Sequence, residues 1–317
     1  MVQDERVKEI IDYLLEHGER KTCEDYGLTE ESIGRYRRIY KSKYEGEFES
    51  RALLKQLGEK FSPQELQALV KGAQLSREEV KAPPIHFDGD VVKFGFITDP
   101  HMGSIYFVES YFDQALEVLR KEGAQFLAIG GDITEGMFSG RPGHIYELAK
   151  IGYKAQRNYA IEQLSKWRGP LYAIDGNHDR TFIKVAGALI VEDICKELPN
   201  ATFLGNDEGD IPVEGITVKL WHGEDGSSYA TSYRVQKIIE SFTGGEKPNV
   251  LLVGHTHKQV YIFERHIHAV SGGALCKQSK WMRGKRLANH IGFHLITMHV
   301  NEHGVVRFLP EFFPFFA

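Results

Sequence analysis

Thiol chemistry is nearly missing from this chain. Only three of its 317 residues are cysteine, Cys23, Cys195 and Cys276. They lie far apart, show no Cys-x-x-Cys spacing and build no disulfide framework, so a reducing cytoplasm is the expected setting. Long hydrophobic runs are missing too. No stretch approaches the roughly 20 apolar residues that a membrane-spanning helix needs, and the start, MVQDERVKEI, lacks the basic cap and apolar stretch of a secretory signal. There is no basic surplus: the formal charge is −5 and the pI about 6.3, which argues against a general nucleic-acid binder. No internal repeat or low-complexity segment is visible. What the chain does have is apolar material, 42% hydrophobic and 11% aromatic residues, enough for one large core and a smaller satellite domain.

Pattern divides the chain near residue 85. Residues 1–80 read as helices. Val7, Ile10, Ile11, Leu14 and Leu15 form a helical stripe ended by Gly18; residues 22–26 suit a short helix, Gly27 a turn, and Thr29 the N-cap of a helix running to about Lys43. Ser62-Pro63-Gln64-Glu65 and Ser76-Arg77-Glu78-Glu79 are capping boxes. Residues 81–90, opening on Lys81-Ala82-Pro83-Pro84, read as a linker. From 91 to 317, short apolar runs alternate with helical patterns. Strands are expected at 91–98, 125–129, 171–174, 216–221, 250–253, 260–263 and 293–300, and helices at 108–121, 146–167, 185–197 and 231–242, which predicts an α/β domain.

Five polar motifs each follow one of these strands at once: Asp99-Pro100-His101, Gly130-Gly131-Asp132, Gly176-Asn177-His178-Asp179, His222-Gly223 and Gly254-His255-Thr256-His257. Ligand sites in layered α/β folds gather outside the carboxyl ends of strands. Asp, Asn and His supply oxygen and imidazole donors without a thiolate, a set suited to Mn²⁺, Fe or Zn²⁺ at a hydrolytic centre. In an extended segment residues two apart face one way, so Asp99 and His101 suit one ion, and His255 and His257 suit one ion or one each.

This ordered set resembles the calcineurin-like metallophosphoesterase superfamily over roughly residues 91 to 310. The resemblance implies a four-layer α/β/β/α sandwich and a centre with two divalent metal ions, Mn²⁺ first. By that analogy Asp99, His101, Asp132 and His257 hold the first ion, Asp132 bridges to the second, and Asn177, His222 and His255 complete it. His178 corresponds to the family's non-ligand histidine, the catalytic acid for the leaving oxygen. Glu135 occupies the place where the protein-phosphatase branch has an Asp pairing with that histidine; a surface glutamate is the other reading. Asp179 either orients its neighbours or caps the next helix. The phosphatase branch continues with a phosphate-clamping Arg where this chain has Gly136, so Arg141 or Arg180 is the substitute clamp if there is one. His144, in the Gly-rich loop after Asp132, is a candidate substrate contact.

The N-terminal segment 24–33 resembles a helix-turn-helix. Its second helix carries Arg35, Arg37, Arg38, Lys41 and Lys43 with Tyr36, Tyr40 and Tyr44 interleaved, a face suited to a DNA backbone, while Glu24, Asp25, Glu30 and Glu31 oppose that. Together with Gly-Asn-His-Asp in place of the Gly-Asn-His-Glu common in protein phosphatases, this favours a phosphodiesterase or nuclease acting on DNA. The alternatives are a phosphomonoesterase, acting on phosphoprotein or nucleotide, whose helical module binds a protein partner, and a non-catalytic regulator on the same scaffold.

Overall fold

A computed structural model describes residues 2–37, 40, 82, 84–86, 90–223, 230–243 and 247–316. The chain forms two compact units, Met1–Glu78 and Glu79–Ala317. In the first, α1 (Val2–His17) and α2 (Glu19–Tyr26) precede a helical stretch at 30–37. Gly27 ends α2 in the left-handed conformation, and the Thr29 hydroxyl caps the next helix by accepting from the Ser32 amide at 3.2 Å, as expected from sequence. Val7, Ile11, Leu14, Ile33 and Tyr40 form the small core. Arg35 is exposed, whereas Arg37 is paired with Glu19 at 3.0 Å. Arg38, Lys41, Lys43 and Tyr44, and both expected capping boxes, lie outside the described residues.

The second unit holds two sheets. One has the order β11-β10-β1-β2-β3-β4 and the other β5-β6-β7-β9-β8. The first is built from β1 (Val91–Ile97), β2 (Phe126–Gly130), β3 (Leu171–Ile174), β4 (Ala201–Gly205), β10 (Gly292–Asn301) and β11 (Gly304–Pro314). The second is built from β5 (Glu208–Val213), β6 (Ile216–Trp221), β7 (Val250–Val253), β8 (Gln259–Glu264) and β9 (Ile267–Gly272). Strands β1 to β4 run parallel, as do β6, β7 and β9.

Alternation along each strand sorts side chains into three apolar layers. Between the sheets lie Phe94, Phe96, Phe126, Tyr172 and Ile174 of the first and Val218, Leu220, Val250 and Leu252 of the second. Leu127, Ile129, Leu171 and Leu295 face outward against α3 (Glu109–Lys121), α4 (Tyr153–Leu164) and α6 (Ile190–Glu197). Leu251, Val253 and Ala269 face α7 (Tyr233–Ser241). Three apolar layers separate four structural layers, so the fold is the α/β/β/α sandwich.

Two expected helices differ. The one at 146–167 begins only at Tyr153, because residues 142–147 form a 3-10 turn and the amides of Ala149 and Lys150 bond the Gly103 carbonyl. The one at 185–197 is split, since Gly187 adopts a left-handed conformation (φ 62°) that ends α5 (Thr181–Ala186) before α6 begins. The described part of the expected linker is packed: Ala82 is buried between the sheets and Ile85 bridges to Val213. The apolar C-terminal tail pairs with β10, its Phe313 ring 5.1 Å from Phe293 and its Phe315 ring stacked on Tyr111 at 4.5 Å. Pro310 and Pro314 are admissible there because β11 is an edge strand.

Candidate metal centre

The parallel strands of both sheets end at one place. Asp99 and His101 follow β1, Asp132 follows β2, Asn177 and His178 follow β3, His222 follows β6, and His255 and His257 follow β7. The extended backbone expected at residues 99–101 and 255–257 is not found. Asp99 (φ 52°), His101 (51°), Asp132 (49°), His255 (70°) and His257 (54°) are all left-handed, a conformation that costs a non-glycine residue of order 1–3 kcal/mol and persists only where surrounding structure enforces it. The enforcement is visible. The Asp99, His101 and Met102 amides bond the carbonyls of Gly131, Asp132 and Ile133, locking the β1 loop to the β2 loop. Gly176 lies so close that a Cβ there would strike Asp132 and the His222 ring.

Two carboxylates are each held by one oxygen and leave the other facing inward. Asp99 Oδ2 lies 2.6 Å from the Thr98 hydroxyl and accepts from the His255 amide at 3.0 Å; Asp99 Oδ1 has no hydrogen bond and sits 3.2 Å from His257 Nε2. Asp132 Oδ1 accepts from the His178 amide at 2.8 Å, while its Oδ2 lies 3.2 Å from His222 Nε2 and 3.9 Å from His101 Nε2.

The histidines show the same logic. His222 Nδ1 meets the Gly130 carbonyl at 2.6 Å; a carbonyl only accepts, so Nδ1 carries the hydrogen. His257 Nδ1 donates to Asn289 Oδ1 at 2.8 Å, the Asn289 amide being oriented by its bond to the Cys276 carbonyl. His101 Nδ1 faces Glu135 Oε2 at 3.1 Å. Each ring therefore turns Nε2 inward, where His101 and His257 approach to 3.3 Å and His222 Nε2 stands 3.2 Å from Asn177 Oδ1. Asn177 Oδ1 is also 2.8 Å from His255 Nδ1.

Lone pairs facing lone pairs at such distances call for positive charge between them. Burial lowers the pKa of His222 and His101, yet Asp132 drives the first up to about 10, and Glu135, with Asp132 and Asp99, drives the second up to about 9. Burial keeps His255 down, at about 4, with its lone pair available. Protons or cations satisfy that demand, and the donor geometry fits cations: Asp99, His101 and His257 form one group able to hold a metal ion, and Asp132, His222 and His255 another. His101, Asp132 and His178 form a third, overlapping group. Ligand histidines that donate their other ring nitrogen to a fixed acceptor are the usual mark of a built metal site.

The expected auxiliary residues fall as follows. His178 Nδ1 donates to the backbone carbonyl of Glu135 at 2.8 Å, leaving its Nε2 available, and its ring stands edge-on to His101 at 4.4 Å. The Glu135 carboxylate turns instead to His101 and to His144, whose Nε2 is 2.7 Å away. Burial raises the Glu135 pKa, but His178, His101 and His144 hold it well below the usual range. His144 is buried, with its other nitrogen bonded to the Phe138 amide, so it braces Glu135 and does not face the cleft. Asp179 accepts from the amides of Ile133 (3.0 Å), Thr134 (2.8 Å) and Gly176 (3.0 Å) and from the Thr134 hydroxyl (2.7 Å), so it orients two loops. Arg141 lies on the cleft rim, 3.3 Å from Glu147. Arg180 is bound by Asp175 and Asp207, each at 2.7 Å, and does not line the cleft. Gly136 has φ +73°, and a Cβ would strike the His178 carbonyl, so the phosphatase-branch arginine has no room here.

Sequence reasoning missed Thr98 and Asn289, which brace ligand-type side chains from outside any motif. The donors open into a cleft of about 380 Å³ whose walls include Tyr106, Phe138, Arg141, Lys258, Lys277 and Trp281.

Comparison with known proteins identifies the family. The family model for calcineurin-like phosphoesterases matches residues 92–259, a span that contains all seven donor residues. The chain is 24% identical over 234 residues to the DNA polymerase II small subunit of Methanothermobacter thermautotrophicus, covering 59% of this chain and 48% of that protein. It thus spans about half the length of the curated relative it matches. Similar solved structures include an archaeal phosphodiesterase (14% identity, TM-score 0.42, 70% of this chain and 100% of that one). Another is zinc-bound Vps29 of Entamoeba histolytica (12% identity, TM-score 0.36, 70% and 99%). The chain belongs to the calcineurin-like phosphoesterases, a family of metal-dependent hydrolases of phosphate esters.

Proposed function

We infer that this protein is a phosphodiesterase acting on DNA, with Asp99, His101 and His257 around one divalent ion, Asn177, His222 and His255 around a second, and Asp132 shared between them. The observation that carries this reading is the inward set of lone pairs, those of Asp99, Asp132, His222 and His257 each fixed by a hydrogen bond on the far side. The nitrogen and oxygen donors, with no thiolate among them, suit Mn²⁺ first and Fe or Zn²⁺ next. When bound, such a pair supplies Lewis acidity toward phosphate oxygens and lowers the pKa of water toward neutrality.

The chain's own residues do the rest. The cleft orients the phosphate over the donors. Water's oxygen forms the new bond to phosphorus and gives up one proton to solvent, the bond to the leaving oxygen breaks, and His178 delivers a proton to that oxygen from Nε2. The Glu135 carbonyl fixes the His178 ring for this task, and Glu135 itself steadies His101. DNA as substrate is supported by the relative named as a DNA polymerase subunit and by the exposed Arg35 of the N-terminal unit. The three free cysteines suit a reducing cytoplasm, and no described helix is long and apolar enough to cross a membrane.

The test is Mn²⁺-dependent hydrolysis of a simple phosphate diester, the matching monoester, and single- and double-stranded DNA. Turnover of the diester and of DNA is expected. Activity on the monoester alone would reject the diesterase reading in favour of a phosphomonoesterase.

A further inference from the structure

One wall of the cleft is not explained by phosphate chemistry. Starting at His178, the Phe138 ring stands edge-on at 4.7 Å. The Arg141 guanidinium follows, 6.0 Å from the Phe138 centroid and 5.8 Å from that of Trp281. Phe138 and Arg141 belong to the loop after β2, whereas Trp281 belongs to the short helix α8 (Lys280–Gly284) on the other side of the sequence. Trp281 is 48% exposed, although its own helix is well anchored. Ser279 caps it at 3.2 Å, the Lys280 amide donates to the Tyr106 hydroxyl at 3.1 Å, and Met282 is buried. The Trp281 ring thus presents a half-exposed aromatic face to the cleft from an anchored helix, with the Arg141 guanidinium beside it. A guanidinium beside two aromatic rings is a stacking surface for planar groups.

We propose that this wall binds an unpaired nucleobase of the leaving nucleoside, with Trp281 as the stacking platform and Arg141 and Phe138 completing it. The inference rests on the diesterase reading for its reaction, since the wall starts at the residue that protonates the leaving oxygen. A cleft of about 380 Å³ has room for a nucleotide beyond the reacting phosphate. Stacking reads every base, so the wall selects unpaired strands over duplex without choosing sequence. Trp281 is a specificity-determining residue here, not a catalytic one.

The test uses the full chain with Mn²⁺ and the dinucleoside phosphate dApdA. Two analogues carry an abasic tetrahydrofuran in place of one nucleoside or the other. Base–aromatic stacking of ordinary strength predicts that wild type discriminates against one of the two analogues by about tenfold in KM, which also identifies the leaving side. Trp281→Ala brings that ratio near one, and Trp281→Phe restores most of it. A ratio equal in wild type and Trp281→Ala would overturn the proposal.

A binding measurement separates this outcome from failure of the reaction. Trp167 is buried and Trp221 half-buried, so quenching of tryptophan fluorescence by dAMP reads mainly Trp281. Quenching is expected in wild type, absent in Trp281→Phe, and absent with deoxyribose 5-phosphate. Quenching without any Mn²⁺-dependent hydrolysis would keep the base site and reject the diesterase. Hydrolysis without quenching would do the reverse, and quenching that persists in Trp281→Phe would reject the base site.

Discussion

Replacing Asp179 by alanine tests whether the centre is pre-built by its supporting loops. The Asp179 carboxylate is buried and accepts from three backbone amides and one hydroxyl, joining the loop of Asp132 to the loop of Asn177 and His178. Alanine leaves the amides of Ile133, Thr134 and Gly176 without an acceptor. Each buried donor so orphaned costs about 1–3 kcal/mol, giving a gross loss of roughly 3–9 kcal/mol. An opposing effect reduces it. Burial, with the nearby charge of Asp132, pushes the Asp179 carboxyl up to about 7, so deleting it also removes an unfavourably placed charge. We expect a net destabilisation of about 3 kcal/mol, toward the low end of the gross range. The assay is urea unfolding of the metal-free chain at neutral pH, with Mn²⁺ affinity measured on the same sample. Stability should fall by that amount and affinity should drop with it, although no ligand-type side chain has been touched. A variant within 0.5 kcal/mol of wild type with unaltered affinity would refute the reasoning, because an ordinary surface change does no more than that.

His178→Ala should keep its bound metal and lose about 10²–10⁴-fold in kcat on esters with poor leaving groups, and much less on p-nitrophenyl esters, as read by steady-state kinetics. A loss equal for both leaving groups would argue against an acid role. His294 is buried on β10 with neither ring nitrogen bonded, and burial lowers its pKa to about 3. Since the unfolded value is near 6.5, the unfolded chain binds the extra proton, so stability is complete above pH 6.5 and falls toward pH 3 at up to about 1.4 kcal/mol per unit. His294→Leu should flatten this slope in urea midpoints measured between pH 7 and 5, and leave neutral stability equal or higher. An unchanged slope would show that another group sets it.

The architecture was legible where strands are central and apolar. β3, β6 and β7 were bounded correctly because Leu171–Ile174 and Val250–Val253 are continuous apolar runs, and Ile216–Trp221 alternates apolar residues with Thr217 and Lys219, each closed by glycine or polar residues. Three of the four unforeseen strands, β4, β5 and β11, are sheet edges. Glu208–Val213 contains Gly209, Asp210 and Pro212, residues that read as a turn and are tolerated only because a neighbour lies on one side. β9 is central, but His268 and Ser271 interrupt its apolar pattern. The donor residues were legible because their motifs sit at strand ends. Their backbone conformation was not: left-handed φ at five donor residues is imposed by bonds between loops distant in sequence. For the same reason Thr98 and Asn289, which act only through what they hold, carried no local signal.

Metal content after equilibration with MnCl₂ and removal of free metal tests the central claim most directly. The account predicts two Mn²⁺ per wild-type chain, the same in His178→Ala, and essentially none retained by Asp132→Ala, which loses the carboxylate shared by both ions. Wild type that retains no metal, or Asp132→Ala that retains as much as wild type, would contradict it.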